Sequence, residues 1–379
     1  MRNVLIFTHS KDSHVYAVAH VLRLRGVTPV VLNTGNMVYD SAVSVSYHSD
    51  AIRIGFGDYR GTVDGVSAVW NRRFIKLFRT VPNLHPSDVS YVRHNAQAVL
   101  TGVLGLLDKQ FAVNPIASVR IWSNKLLQLR AARAAGFDIP ETLVSNNFED
   151  IMSFISTGED VCMKSYHTHG WLTNTGPRQT VTVRIGEESA IDRESCQACP
   201  QIFQRFVRKK YEYRITLFGA FHVAVRIDTK SLEGDANVDW RASPAYLNKL
   251  SIARLPDKVI EAARNLLTIL NLRFGIIDLA ETYDGDFVFF EVNEAGQWLW
   301  QDLHLPGCRT LQPFCEYIAS ADDRYQWDPG QASPEFEAQN VCKAINDDPE
   351  FRALGDETFP DEEIYVADER SLQAMNALP

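Results

Sequence analysis

The chain has 379 residues, of which 45% are hydrophobic and 22% charged, with a formal net charge of −9. This balance excludes collagenous, disordered and disulfide-scaffold proteins, and at about 150 residues per domain it predicts two or three domains. Charged residues interrupt every apolar run before the roughly 18 residues a membrane span needs; no basic run is interleaved with aromatics, as nucleic-acid binding requires.

Residues 4–8 read as a buried strand without a small-residue cleavage site, so no signal peptide is expected. Over residues 12–25, Val15, Val18, Ala19 and Leu22 have helical spacing, and Gly26 ends the helix. A strand at 29–32 completes a β-α-β opening, which predicts a parallel sheet. Residues 66–70 form another strand, followed by Asn71, Arg72 and Arg73; 87–107 form a long helix and 111–113 a short strand. The pattern then gives a helix at 124–135 stopped by Gly136, a strand at 141–144, a helix at 148–155 and a strand at 161–164. Residues 165–176 mix His, Thr, Asn and Gly and read as a polar loop whose N–H groups suit an anion. Strands are expected at 180–185, 201–207, 213–218 and 220–227, the last two turning at Gly219. A helix at 256–270 precedes a hairpin of 274–280 with 287–292 around Asp284-Gly285. Residues 321–379 hold 15 acidic and 4 basic residues, net −11, so the remainder carries +2. This stretch reads either as a solvated tail or as a segment that docks on a basic face. The six scattered cysteines suit a reducing cytoplasm.

One constellation carries chemistry. Asp278 lies among Ile276, Ile277 and Leu279, and Glu291 follows a run of four apolar residues. A carboxylate in such a setting is costly unless it is paired or binds metal. Glu291 and Asn293, two apart, share a strand face, onto which Asp278 projects from the paired strand. Three oxygen donors suit Mg²⁺ and leave positions for phosphate oxygens and water; the plainer alternative is a carboxylate pair satisfied by Lys or Arg. Lys125, Lys164, Arg214 and Arg226 each read as a surface charge alone, and with the triad as a polyphosphate cradle.

The order Asn124-Lys125, Lys164, Gln204-Arg205-Phe206-Val207, Glu212-Tyr213-Arg214, Asp278, Glu291-Val292-Asn293 resembles the ATP-grasp superfamily. Val69-Trp70-Asn71-Arg72-Arg73 and the Gly296-Gln297-Trp298 continuation resemble its microviridin-type peptide maturases, the graspetide synthetases, over roughly residues 1–318. The resemblance implies an α/β and α+β ATP-grasp fold. An N-terminal parallel-sheet (pre-ATP-grasp) domain is expected at 1–118, a central lobe at 119–208, a C-terminal lobe with the Mg²⁺ site at 209–320 and an acidic extension at 321–379. It implies ATP and Mg²⁺ as cofactors. Lys125 and Lys164 would contact phosphates, Gln204, Phe206 and Val207 the adenine, and Glu212 the ribose. Arg214 and Arg226, with Lys164, would act at the γ-phosphate and activated carboxylate, and Asp278, Glu291 and Asn293 would hold Mg²⁺.

The implied activity is carboxylate activation through an acyl phosphate. It would form ester or amide crosslinks between Asp/Glu and Thr/Ser/Lys side chains of a ribosomally made precursor peptide, whose leader docks on the central domain. The alternatives are a ligase joining a free amino acid or amine to a peptide or small acid, and a non-catalytic nucleotide-binding protein, against which the intact Lys, Arg and Mg²⁺-ligand types argue. A cytoplasmic homodimer is expected, without nucleic acid or membrane. Some residues depart from the family pattern or stand outside it. Arg205 replaces a residue often acidic in relatives, His167 and His169 occupy the polar loop, and Cys196 and Cys199 form a lone C-x-x-C read as incidental. Glu187, Glu188, Asp192 and Glu194 either face a basic leader residue or form a solvated helix face. Trp298 and Trp300 alternate like strand residues, as core or acceptor pocket; Trp70 is expected to pack, with Arg72 and Arg73 nearer the cleft. Thr358 near Asp361, Glu362 and Glu363 has the residue types such ligases join.

Overall fold

The computed structural model describes residues 2–8, 12–34, 42–73, 84–166, 170–173, 176–179, 182–185, 191–232 and 234–347. His167, His169, Glu187, Glu188, Thr358, Asp361, Glu362 and Glu363 lie outside the described residues.

In chain order the elements are β1 Asn3–Thr8, α1 Ser13–Leu24, β2 Thr28–Asn33, β3 Val43–Tyr47, β4 Ile52–Phe56, β5 Tyr59–Thr62, β6 Ala68–Asn71, α2 Val89–Leu107, β7 Phe111–Val113, α3 Ile116–Trp122 and α4 Lys125–Ala135. Then come β8 Thr142–Ser145, α5 Phe148–Ile155, β9 Val161–Lys164, β10 Gly170–Thr173, β11 Gly176–Gln179, β12 Val183–Ile185, α6 Arg193–Ala198 and β13 Gln201–Arg205. The remainder are β14 Lys209–Phe218, β15 Phe221–Ile227, α7 Asp235–Val238, β16 Leu250–Ala253, α8 Asp257–Ile269, β17 Phe274–Thr282, β18 Phe287–Asn293, α9 Leu299–His304, α10 Leu311–Ser320 and α11 Ala338–Asn346.

Contacts group these into two compact units. The first contains residues up to Ile139, Arg208–Ser231 and the described residues from Ala245 onward; the second contains Pro140–Val207 and Leu232–Pro244. The first unit holds the expected parallel sheet, ordered β2-β1-β6-β7. It also holds a three-stranded sheet, β3-β4-β5, which the sequence reading did not anticipate. Its main sheet is antiparallel, ordered β16-β15-β14-β17-β18. One face of that sheet (Tyr213, Ile215, Leu217, Ile277, Leu279, Phe289) packs on Leu129 and Ala132 of α4 and Val259, Ala263 and Leu266 of α8. On the other face, Phe218, Phe274 and Ile276 share a core with Trp298, Phe314 and the α1 residues Val15 and Val18. Each of these fully buried large side chains contributes about 1.5–3 kcal/mol of transfer free energy.

The second unit has the antiparallel sheet β12-β9-β13-β8 and the two-stranded β10-β11. Val161 and Phe203 on one face of the larger sheet pack with Ile151 of α5 and Cys196 of α6.

Three expectations are corrected. The stretch 165–176 is not wholly loop: Gly170–Thr173 pairs antiparallel with Gly176–Gln179, as the strand-favouring Trp and Thr content permits. Trp298 and Trp300 are not strand residues: Trp298 directly precedes α9 and Trp300 lies in it. The acidic C-terminal region is not all solvated tail. Phe336, Val341 and Ile345 are buried in the core shared with α1, because α11 carries an apolar stripe opposite its polar residues.

Candidate functional site

Local sequence explains how the site strands are placed. Gly219 (φ 51°) turns β14 into β15, and Gly285 (φ 88°) turns β17 into β18; both angles suit glycine. β18 is a sheet edge, and α4 covers it. Asn124 caps α4, its side chain accepting from the N–H groups of Leu126 and Leu127. One turn on, the Gln128 amide bonds the strand backbone: Nε2 donates to the Val292 carbonyl at 3.0 Å, and Oε1 accepts from the Val292 N–H at 3.1 Å. The start of α4 is thereby held beside Glu291.

Asp278 stands opposite Glu291 in the β17–β18 register, and Ile276 opposite Asn293. A bulge after Asp278 leaves Phe290 without a register partner. Asp278, Glu291 and Asn293 project from one face and meet. The Asn293 amide donates to Asp278 Oδ2 at 3.1 Å and to Glu291 Oε1 at 3.4 Å. Each carboxylate also faces a cation, Lys125 Nζ at 3.1 Å from Glu291 Oε2 and Arg214 Nη1 at 3.2 Å from Asp278 Oδ2. Arg214 and Asp278 are both buried. The donor set fits Mg²⁺: two carboxylates and a carboxamide supply only oxygen ligands at one point, and the amide presents its oxygen after a half-turn. Among the described residues no group of three or more His, Cys, Asp or Glu gathers.

The other expected residues divide. Glu212 lies on the same strand face as Arg214 and is ion-paired with Lys209 at 2.7 Å. Arg226 is not brought to the triad. It stands opposite Tyr213 and Ser251, whereas Arg214 stands opposite Val225 and Asp278. Adjacent strand residues face opposite ways, so Arg226 points to the other face. There its Nε donates to Ser251 Oγ at 3.1 Å and its guanidinium lies 4.6 Å from the Tyr211 ring centre.

In the second unit, Lys164 stands opposite Ile202, and Gln204 opposite Cys162 and Thr142. By the strand alternation this is the face away from Phe203 and its helices. Gln204 Nε2 donates to Thr142 Oγ1 at 2.9 Å. The Phe206 N–H donates to the Asp160 carbonyl at 2.8 Å, and Arg184 lies over its ring at 5.0 Å; Val207 is half-buried. Arg205 points the other way, to Glu141 at 3.2 Å and over Phe154 at 4.0 Å, and so forms an ion pair that holds its own sheet. All six cysteines are free, with Cys196 buried and Cys199 exposed.

Sequence reasoning missed a buried polar network in the first unit. Asp12 Oδ2 pairs with Arg72 Nε at 3.0 Å and Arg73 Nε at 3.4 Å, and Asp12 Oδ1 accepts from the His14 backbone N–H at 3.1 Å. His14 Nδ1 is 3.4 Å from Asp12 Oδ1, while Nε2 accepts from the N–H groups of Trp298 and Leu299, both at 3.0 Å. The imidazole is therefore neutral, with its proton on Nδ1. Burial, reinforced by the Arg72 and Arg73 charges and opposed by Asp12, lowers the His14 pKa to about 4. Burial works against the Asp12 charge, but His14, Arg72 and Arg73 outweigh it and hold this carboxyl well below the usual range. The one legible signal was an Asp and a His two apart at the start of a helix after a buried strand.

This network gives the stability a pH dependence of known sign. With the folded pKa of His14 depressed, the unfolded chain binds the extra proton between about pH 6.5 and 4. The stabilisation is complete above pH 6.5 and is lost as pH falls toward 4. Between pH 7 and 5 this group alone is expected to cost about 2 kcal/mol. Melting curves at the two pH values should therefore lie further apart for wild type than for His14→Gln; equal separations would refute the assignment.

Comparison with known proteins agrees with this architecture. Residues 3–120 match the family described as the MvdD pre-ATP grasp domain. A RiPP-associated ATP-grasp ligase from Chryseobacterium gregarium, solved with ADP and a leader and core peptide, is 23% identical, with a TM-score of 0.76 over 86% of this chain and 100% of its own. The macrocyclase MdnC from Microcystis aeruginosa MRC, solved with the precursor peptide MdnA, is 24% identical, with a TM-score of 0.73 over 84% of this chain and 99% of its own. The ATP-grasp ligase PsnB, solved with a phosphomimetic precursor variant, Mg and ADP, is 18% identical, with a TM-score of 0.64 over 85% and 99%. No curated protein matches by sequence. The chain has the ATP-grasp fold, with a parallel-sheet region at its N-terminus.

Proposed function

We propose that the protein is an ATP-dependent, ADP-forming ligase that crosslinks Asp or Glu to Thr, Ser or Lys side chains within a ribosomally made precursor peptide. The observation that carries this is the meeting of Asp278, Glu291 and Asn293 on one sheet face, with Lys125 and Arg214 each within 3.2 Å of a carboxylate, in an ATP-grasp fold. The likeness to a ligase solved with leader and core peptide and to a precursor-bound macrocyclase supports the substrate class.

In this reading Asp278, Glu291 and Asn293 would hold Mg²⁺, which would supply charge neutralisation to the nucleotide phosphates. A substrate carboxylate oxygen attacks the γ-phosphorus and the bond to the β-γ bridging oxygen breaks, giving acyl phosphate and ADP. A hydroxyl or amine then attacks the acyl carbon, loses its proton, and phosphate departs. Lys125 and Lys164 neutralise phosphate charge, and Arg214 faces the transferring group and the later oxyanion. Arg226, on the other face, is assigned a supporting part through Tyr211 and Ser251. Gln204, Phe206 and Val207 are assigned to adenine and Glu212 to ribose. By role, residues 1–118 are the pre-ATP-grasp part, 119–208 and 209–320 the lobes, and 321–379 the extension. Among the described residues no helix is long and apolar enough to cross a membrane, and with six free thiols we assign a cytoplasmic setting.

The test is product mass. Incubated with ATP, Mg²⁺ and short peptides rich in Thr and Asp/Glu, the protein is expected to release one ADP for each water lost from the peptide it accepts. A mass gain equal to an added amine minus water would instead favour ligation of a free acceptor, and no ADP release with any such peptide would refute the ligase reading.

A further inference from the structure

The backbone just after the triad is held almost entirely by side chains from far away in sequence. Asn114 Nδ2 donates to the Glu294 carbonyl at 2.8 Å, while its Oδ1 accepts from the N–H groups of Arg273 and Phe274 at 2.7 and 2.9 Å. Arg72 Nη1 donates to the Ala295 carbonyl, and to the Gly296 carbonyl at 3.0 Å. His14 Nε2 accepts from Trp298 and Leu299, as described above. Before the triad residue, Gln128 holds both polar groups of Val292. Asn293 thus lies between two peptides fixed by Gln128 and a run of five peptides fixed by Asn114, Arg72 and His14.

These contacts are costly to build. Arg72 is 0% exposed, and its only carboxylate partner among the described residues is Asp12. A buried ion pair seldom stabilises more than apolar side chains of the same volume would. What it supplies here is direction: the planar guanidinium bridges Asp12 to two successive carbonyls, which an apolar residue cannot do. Gly296 belongs to the same design, since a Cβ there would collide with the side chain of Ile276, which stands opposite Asn293 two residues before Asp278.

We infer that Arg72, His14 and Asn114, all from the N-terminal α/β region, are positioning residues that hold the backbone from 294 to 299 and so fix Asn293 relative to Asp278 and Glu291. This rests on the Mg²⁺ reading of the triad and adds to it a role for the N-terminal sheet: it acts as a jig for a ligand carried by another sheet. Side chains that orient metal ligands through one intermediate typically change metal affinity by about 10–100-fold when replaced.

The test uses Arg72→Lys, which keeps the charge beside Asp12 but loses the planar fork, and His14→Gln, a milder change that keeps one acceptor. ADP binding to the full chain is measured by calorimetry at a series of Mg²⁺ concentrations, with melting temperature followed in parallel. We expect the Mg²⁺ concentration for half-maximal tightening of ADP binding to rise about tenfold in Arg72→Lys and less in His14→Gln, with metal-free ADP affinity unchanged. At saturating Mg²⁺, turnover should recover toward wild type. An unchanged Mg²⁺ dependence alongside a lowered melting temperature would show a purely structural role and overturn the inference. If Arg72→Lys does not fold, His14→Gln decides by the same reading. A wild-type chain whose ADP binding ignores Mg²⁺ overturns the parent assignment and this inference together, whereas Mg²⁺-dependent wild type with unaltered variants overturns only the inference.

Discussion

Asp278→Asn is expected to lower peptide-dependent ADP release by about a thousandfold or more. The substitution is nearly isosteric but removes one of the two negative charges of the triad. It also takes away the charge that Arg214 meets at 3.2 Å, while the Asn oxygen still accepts from the Asn293 amide. Two losses then coincide. A metal held there would keep a single carboxylate, and the buried Arg214 loses its Asp278 partner; breaking a buried pair costs on the order of 3–5 kcal/mol. Because the second loss acts on stability, the measurement pairs single-turnover ADP release with a melting curve. A folded variant with rates within a few-fold of wild type would remove Asp278 from the metal site.

Arg214→Lys should produce the second-largest effect, a fall of about a hundredfold in turnover with ADP affinity nearly unchanged. Lysine keeps the positive charge and an attraction to Asp278. It lacks the fork that lets one guanidinium hold Asp278 and still present N–H donors to a second anion. Charge on a transferring phosphoryl group and on the following tetrahedral oxyanion develops only along the reaction path, so the loss should fall on kcat rather than on nucleotide binding. Rapid-quench measurement of ADP formation beside calorimetric ADP binding separates the two. Equal losses in binding and turnover would make Arg214 a ground-state contact.

Much of the fold was legible because its signals are local. Asn124 before Lys125 and Gly136 after Ala135 bounded α4, and those two residues cap it in the structure. Asp284-Gly285 marked the β17–β18 turn, which placed Asp278 opposite Glu291 once the strands were paired. The triad was readable for the same reason: two strand residues two apart share a face, and a hairpin partner supplies the third. The sheet β3-β4-β5 went unread although Val43, Val45 and Tyr47, and then Ile52, Ile54 and Phe56, alternate with polar or small residues as strand positions do. Arg226 was grouped with Arg214 by charge and order along the chain. Its face depends on the register of β15 against β14, which the length of the turn at Gly219 fixes and residue type does not.

By itself, then, the sequence determined the elements whose caps, turns and periodicities lie within a few residues, and with them the residue types around the triad. Only the tertiary structure decided which cations reach it, that α11 is core rather than tail, and that Asp12, His14, Arg72 and Asn114 hold the peptides beyond Asn293. The contacts to the peptides beyond Asn293 join positions 180 to 285 residues apart, and hydrogen bonds to backbone leave no trace in side-chain periodicity, because any residue offers the same carbonyl and N–H.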